Sequence, residues 1–156
     1  MVVHVIAVGR LRGAAIAAAC DDYVRRAQRG LTITLREVRE AERRAPTPAA
    51  ARALEGERLR AAIPRGARCV ALTRAGRAPS SAELAALVRR WREEAKDVAL
   101  LIGGAHGLPE DLLATCDLQL SLSRLTFPHE LARLIVCEQL YRAVTIWRGE
   151  PYHKGA

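Results

Sequence analysis

The feature that most restricts the fold of this chain is a set of short apolar runs separated by helix-sized segments. MVVHVIAVG reads as a short buried strand ended by Gly9, and ARCVALTR and DVALLIGG repeat the pattern further on. LTITLREV, from Leu31 to Val38, alternates threonine with aliphatic residues in strand fashion, and LQLSLS follows near the end. Between these runs the spacing changes to that of helices. Ile16, Cys20, Tyr23, Val24 and Ala27 recur on one helical face, with Gly30 as the stop. A second helix is expected from about Pro48 to Ile63, closed by Pro64 and Gly66, after the charged loop REAERRAPTP.

The turn AGRAPSS leads into a third helix. Ser80 and Glu83 form a capping box there, Leu84, Leu87, Val88 and Trp91 build its apolar face, and Arg89, Arg90, Arg92, Glu93 and Glu94 make a solvated one. LPEDLLATC gives a short helix, and a long one runs from about Pro128 to Trp147. This last helix carries two apolar rows, Leu134, Cys137, Tyr141, Val144 and Val136, Leu140, Ala143, Trp147. A helix apolar on two sides must be covered on two sides, deep in the monomer or at a subunit interface.

Strand and helix therefore alternate along the whole chain. At 156 residues the length suits one domain, so the expectation is a single α/β domain over 1–156 with a mostly parallel sheet between helices. Ligands of such sheets sit beyond the carboxyl ends of the strands. Three ends are singled out: Leu72-Thr73, Gly103-Gly104 and Ser121-Leu122-Ser123.

The formal net charge is +8, with arginines along the whole chain. Summed positive charge favours a polyanionic partner, nucleic acid before membrane, although it also serves solubility. Cys20, Cys69, Cys116 and Cys137 form no CxxC and sit in apolar segments, which points to buried reduced thiols. The amino terminus has no basic leader ahead of an apolar core, and no apolar run approaches a membrane span, so a cytosolic protein is expected.

Motifs narrow the chemistry. Gly103, Gly104 and Gly107 are spaced GGxxG, not GxGxxG, and no GxxxxGK[ST] occurs. The bland reading is a tight turn between strand and helix; the other is a place where a ligand meets the main chain. SLSRLTFPHELAR places Ser123, Thr126 and a proline-led helix start beside the same sheet edge, with Thr126 as a possible helix cap. His4, His106, His129 and His153 are scattered and HELAR lacks the second histidine of HExxH, so no metal is expected. In the terminal PYHKGA, Tyr152, His153 and Lys154 join an aromatic face, an imidazole and a cation, suited to stacking on a base and touching phosphate. A frayed end is the alternative.

LLIGG with Gly107, SLSRLTFPH, EQLYRA and the terminal PYHK together resemble the RlmH family, the ribosomal large-subunit pseudouridine N3-methyltransferases of the SPOUT superfamily. VIAVG, EGERL and SSAEL extend the likeness over essentially the whole chain. The resemblance implies a SPOUT-type fold with a carboxyl-terminal trefoil knot, a homodimer, and S-adenosylmethionine as methyl donor without a metal. It implies a cytoplasmic enzyme that methylates N3 of a pseudouridine in a hairpin loop of large-subunit ribosomal RNA. Carried over by position, the donor site is Leu72, Gly104, Ser123, Arg124, Leu125, Thr126, Phe127 and Pro128. Tyr152, His153 and Lys154 match the family's functional tail, and Arg142 matches a position that helps place the RNA or supports the dimer.

Within that implied reaction, His153 is the candidate for assisting loss of the N3 proton, Tyr152 for positioning the base and Lys154 for steadying negative charge. Two positions depart from the family pattern. Thr73 stands where aspartate is frequent, and Lys154 where arginine is familiar, which keeps the charge but loses the planar fork. Competing readings are a non-enzymatic ribosome-associated RNA-binding module, a knotted methyltransferase acting on transfer RNA, and a small-molecule nucleotide enzyme.

Overall fold

The computed structural model describes residues 1–41 and 45–153, except for the His153 side chain. Its centre is a five-stranded, wholly parallel sheet in the order β2-β1-β4-β3-β5. The strands are β1 (Val2–Val8), β2 (Thr32–Val38), β3 (Arg68–Arg77), β4 (Val98–Ile102) and β5 (Leu118–Leu120). They alternate with helices α1 (Ala14–Ala27), α2 (Pro48–Ala62), α3 (Ser81–Glu93), α4 (Glu110–Leu113) and α5 (His129–Trp147), followed by a 3-10 turn at Pro151–His153.

Strand periodicity sorts the core into two layers. Val3, Val5 and Ala7 of β1, with Leu100 and Ile102 of β4, face Ala27 of α1, Val88 and Trp91 of α3, and Val136, Leu140 and Val144 of α5. Ile6 and Val8, with Ala99 and Leu101, face Leu59 and Ala62 of α2 and the α4 region through Leu108 and Leu112. Every residue of β4 is buried, as a central strand covered on both faces requires. Burying a side chain such as Leu101 or Leu112 is worth roughly 1.5–3 kcal/mol. A register slip of one residue would exchange the two faces, so this packing also fixes the register.

Most of the two apolar rows of α5 is covered within the chain, Cys137, Val144, Val136, Leu140 and Ala143 being buried while Leu134, Tyr141 and Trp147 are half-buried. The helix lies on the sheet between α1 and α3, and the Trp147 indole donates a hydrogen bond to the Ala85 carbonyl at 2.8 Å. The capping box of α3 forms as expected, with Ser80 and Glu83 bonding reciprocally. Thr47 caps α2 by accepting from the Ala50 N–H at 3.1 Å, with Pro48 leading the helix. Residues 42–44 of the preceding loop lie outside the described residues.

Several boundaries differ from expectation. β3 does not turn after Arg74 but continues to Arg77, with a register shift against β5 between Leu72 and Arg77. Gly76 makes this possible, because a Cβ there would lie 2.5 Å from the Leu120 carbonyl carbon. β5 ends at Leu120, so Ser121–Ser123 is loop; the Ser121 N–H still bonds to the Arg77 carbonyl at 2.8 Å. Pro128, not Thr126, occupies the cap position of α5, and no side chain caps that helix. The four cysteines are free, yet not isolated: Cys69 and Cys116 bring their Sγ atoms to 3.0 Å, and Cys116 is only half-buried.

Candidate active site

Register brings the three selected strand ends to one place. Leu72 of β3 pairs with Ile102, the last residue of β4, on one side and with Leu120, the last residue of β5, on the other, so two strands end at the level where the regular pairing of β3 breaks, although β3 itself runs on to Arg77. Beyond them opens a cleft of about 660 Å³, walled by Leu72, Thr73, the Gly103–Leu108 turn and Ser121–Ser123. Leu125, Thr126, Phe127, Pro128 and His129 form the facing wall, and Arg52 of α2 closes one side.

The glycine turn owes its shape to close backbone contact. The Gly107 N–H bonds to the Gly104 carbonyl at 3.1 Å, and Gly107 has φ +75°. A Cβ on Gly103 would lie 2.7 Å from the Gly107 carbonyl carbon. At Gly104 a Cβ would lie 2.8 Å from Glu55 Oε2 and 3.0 Å from Val8 Cγ1. Glycine at 104 is thus required by what stands behind the turn, as well as by any ligand in front of it.

The loop after β5 is held by its own hydroxyls. Ser121 Oγ donates to the Ser123 carbonyl at 2.9 Å, and Ser123 Oγ accepts from the Leu125 N–H at 3.0 Å. The Leu125 side chain stands at the rim, 70% exposed, while Phe127 is half-buried. Main-chain groups, an aliphatic rim and an aromatic ring together suit a ligand with a flat apolar ring and a polar edge.

Two arginines add positive charge. Arg52 is half-buried and has no ion pair among the described residues, and Arg74 is exposed at the mouth. Neither stood out in the sequence. Arg124, expected in the donor site, is exposed and is not part of the cleft wall.

The head of α5 is tied to the end of β1. Buried Arg133 donates through Nη2 to the Val8 and Gly9 carbonyls, both at 2.6 Å, and through Nη1 to Glu37 at 3.0 Å. Glu130 accepts from the backbone N–H groups of Arg12 at 2.9 Å and Gly13 at 3.4 Å, and the Arg12 bond above all holds its carboxyl below the usual range.

The tail belongs to a separate cluster. Tyr152 packs edge-on against Tyr141 at 4.7 Å and donates from its hydroxyl to Glu138 at 3.1 Å. Burial first, then the Tyr23 hydroxyl and Glu138, push its phenol well above the ordinary value. Arg142 is bound twice to Glu138, at 2.9 and 2.6 Å, and its guanidinium lies 5.0 Å from the Tyr152 ring centre. This cluster sits roughly two turns further along α5 than the residues that touch the cleft. His153 has its backbone in the 3-10 turn, its side chain is not described, and Lys154 lies outside the described residues.

Behind the glycine turn is a second cavity, about 310 Å³, that shares Gly104, Ala105, His106 and His129 with the cleft. Glu55 stands in its wall, 6% exposed, with Oε1 accepting from the Ala41 N–H at 2.9 Å. Its Oε2 has no partner. Sequence reading passed over this residue. The available signal was a carboxyl on the buried row Ala51, Glu55, Leu59, Ala62 of α2. Among the described residues no group of three His, Cys, Asp or Glu side chains could hold a metal, and no helix is long and apolar enough to cross a membrane.

Comparison with known proteins bears on the family and the fold. A family described as predicted SPOUT methyltransferase matches residues 1–153. A protein of Anaeromyxobacter dehalogenans named ribosomal RNA large subunit methyltransferase H is 49% identical over 154 residues, covering 99% of this chain and all of that one. A Paraburkholderia xenovorans protein of the same name is 42% identical, over 99% of both chains. Among solved structures, a probable methyltransferase from Bordetella pertussis superposes with a TM-score of 0.56 at 18% identity, covering 91% of this chain and 93% of that one. That last likeness speaks for the fold, and the sequence matches for the family: this chain belongs to the SPOUT methyltransferases.

Proposed function

We propose that the protein methylates N3 of a pseudouridine in large-subunit ribosomal RNA, with S-adenosylmethionine as donor. The observation that carries the reading is the cleft at three adjacent strand ends, in a chain 49% identical over its length to a relative named for that RNA. Methyltransferases of this kind generally use S-adenosylmethionine, which when bound supplies an activated methyl group on a sulfonium.

The cleft residues fit such a donor. Leu72, Leu125 and Phe127 offer apolar surface to a ring, while the main chain at Gly104 and Thr126 offers polar groups to its edge, and Arg52, without an ion pair among the described residues, suits a carboxylate or phosphate. The protein's main duty is alignment, because much of a transfer barrier is removed by holding the partners in position. The acceptor nitrogen must also lose its proton. We assign that assistance to His153, with Tyr152 positioning the base and Lys154 adding charge; unchanged single-turnover transfer by His153→Ala would remove the assignment.

Tyr152 is docked away from the cleft of its own chain, so the tail would serve a target shared with a second copy. A homodimer is accordingly part of the proposal, as is the carboxyl-terminal knot that the family resemblance implies. The charge of +8 favours a phosphate-rich partner, and an RNA of the ribosome would set the enzyme in the cytoplasm.

The deciding experiment incubates the protein with labelled S-adenosylmethionine and ribosomal subunits, whole ribosomes or transfer RNA, then maps the methylated nucleotide. Label on one pseudouridine of large-subunit RNA is expected. Label on transfer RNA alone would replace the substrate, and no label anywhere would favour a binding module.

A further inference from the structure

Arg52 brings a fixed positive charge into the cleft wall without an opposite charge to meet it. The side chain is half-buried, and among the described residues it makes neither an ion pair nor a hydrogen bond. The other arginines of α2 are engaged. Arg58 donates to the Arg39 and Glu40 carbonyls at 3.0 and 2.9 Å, and Arg60 donates to Asp111 at 2.7 Å. A guanidinium partly withdrawn from water is favoured by a partner that restores its hydrogen bonds, and carboxylates and phosphates match its planar fork.

Packing fixes where this arginine stands. Residues 52, 55 and 56 share one face of α2, being three and four apart. Glu55 lies behind the glycine turn, its Oε2 2.8 Å from the place a Cβ on Gly104 would take, and a Cβ on Gly56 would lie 2.4 Å from Pro109 Cγ. These contacts seat the face of α2 on the segment from Gly104 to Pro109, and Arg52, one turn earlier, reaches the cleft. Glu55 does not pair with it. Its Oε1 accepts from the Ala41 N–H at 2.9 Å, and its Oε2 is closed off by Gly104 and Val8.

We propose that Arg52 holds the carboxylate of S-adenosylmethionine and so selects the complete donor over adenosine derivatives that lack that group. The proposal rests on the donor reading above and deepens it. S-adenosylmethionine carries a sulfonium, an ammonium and a carboxylate. Among the described residues no Asp or Glu lines the cleft, so the carboxylate is the charge that its wall can bind. Arg52 comes from the helix layer that holds α2, and Leu125 and Phe127 from the segment leading into α5 on the other face of the sheet. The two kinds of contact therefore address different parts of one extended ligand, the ring and the amino-acid end. Arg74, exposed at the mouth, is better placed for an RNA phosphate than the half-buried Arg52.

The test is calorimetric titration of the full chain with S-adenosylmethionine and with its decarboxylated form, which keeps the sulfonium and the ammonium. Wild type is expected to bind the complete donor about 10- to 100-fold more tightly, the range of a charge-assisted pair. Arg52→Ala should remove that preference by weakening S-adenosylmethionine alone. Arg52→Lys should restore part of it, because lysine keeps the charge without the fork. Equal binding of the two ligands by wild type would overturn the proposal before any variant is made. An Arg52→Ala chain that kept full affinity for S-adenosylmethionine would overturn it too, leaving the guanidinium to an RNA phosphate. So would equal weakening of both ligands by Arg52→Ala and Arg52→Lys, which would make the side chain part of the cleft's shape only. If wild type bound neither ligand, the donor reading itself would fail and this inference with it.

Discussion

The cleft and the tail differ in what builds them. The cleft is made by topology: β4 and β5 end level with Leu72, where the regular pairing of β3 breaks, and the glycine turn is closed by backbone contacts. The tail is docked by a few side chains, Tyr152 on Tyr141 and Glu138 with Arg142 alongside. A site fixed by backbone register is preorganised, while one held by a few half-buried side chains can be released at smaller cost. The first arrangement suits a donor that must bind in one pose, and the second a segment that must engage a large RNA.

Substitutions can sharpen that contrast. Gly104→Leu should have the largest effect, abolishing S-adenosylmethionine binding in calorimetry while far-ultraviolet circular dichroism shows a folded chain; retained binding would separate the turn from the donor. Arg133→Leu should come next, since it strips two carbonyls and Glu37 of their donor, and a loss of about 3 kcal/mol is expected in urea unfolding. Tyr152→Phe removes the hydroxyl's bond to Glu138 and its long contact with the Tyr23 hydroxyl but keeps the ring contact, so a loss of about 1 kcal/mol and unchanged donor affinity are expected.

The smallest effect concerns pH and falls on the cleft end of α5. Glu130 has a lowered folded pKa, so its contribution is fully present above the unfolded value near 4.5 and is lost as pH falls through the lower folded value. Comparing urea midpoints of wild type and Glu130→Gln, the gap between them should hold at neutral pH and close below about pH 4.5. A gap that stayed constant into acid would contradict the role given to the Arg12 and Gly13 bonds.

The alternation of strand and helix patterns was enough to place the sheet, its parallel sense and the three segments that meet at the cleft, although Leu72-Thr73 lies within β3 and not at its end. It could not show where β3 ends, because Gly76 reads as turn chemistry and only the nearby Leu120 backbone makes it a strand residue. Nor could it pair Cys69 with Cys116, which are brought together by β3 and the segment before β5. The doubly apolar α5 admitted two explanations, and α1 and α3 cover most of both rows within one chain while Leu134 and Tyr141 stay half-buried. Thr126 shows the limit of local reasoning at the site: it stands two residues before the cap position of α5 and does not cap the helix. Glu55 was legible only as a charge on an apolar row, since its unpaired oxygen depends on Gly104 and Ala41 from elsewhere in the chain.

Hydrogen–deuterium exchange with and without S-adenosylmethionine tests the contrast between cleft and tail most directly. Slowed exchange in the peptides spanning Leu72–Arg74, Ile102–Gly107 and Ser121–Pro128, with none at Pro151–His153, is the predicted result. Protection centred on the tail, with the three strand ends unchanged, would contradict it.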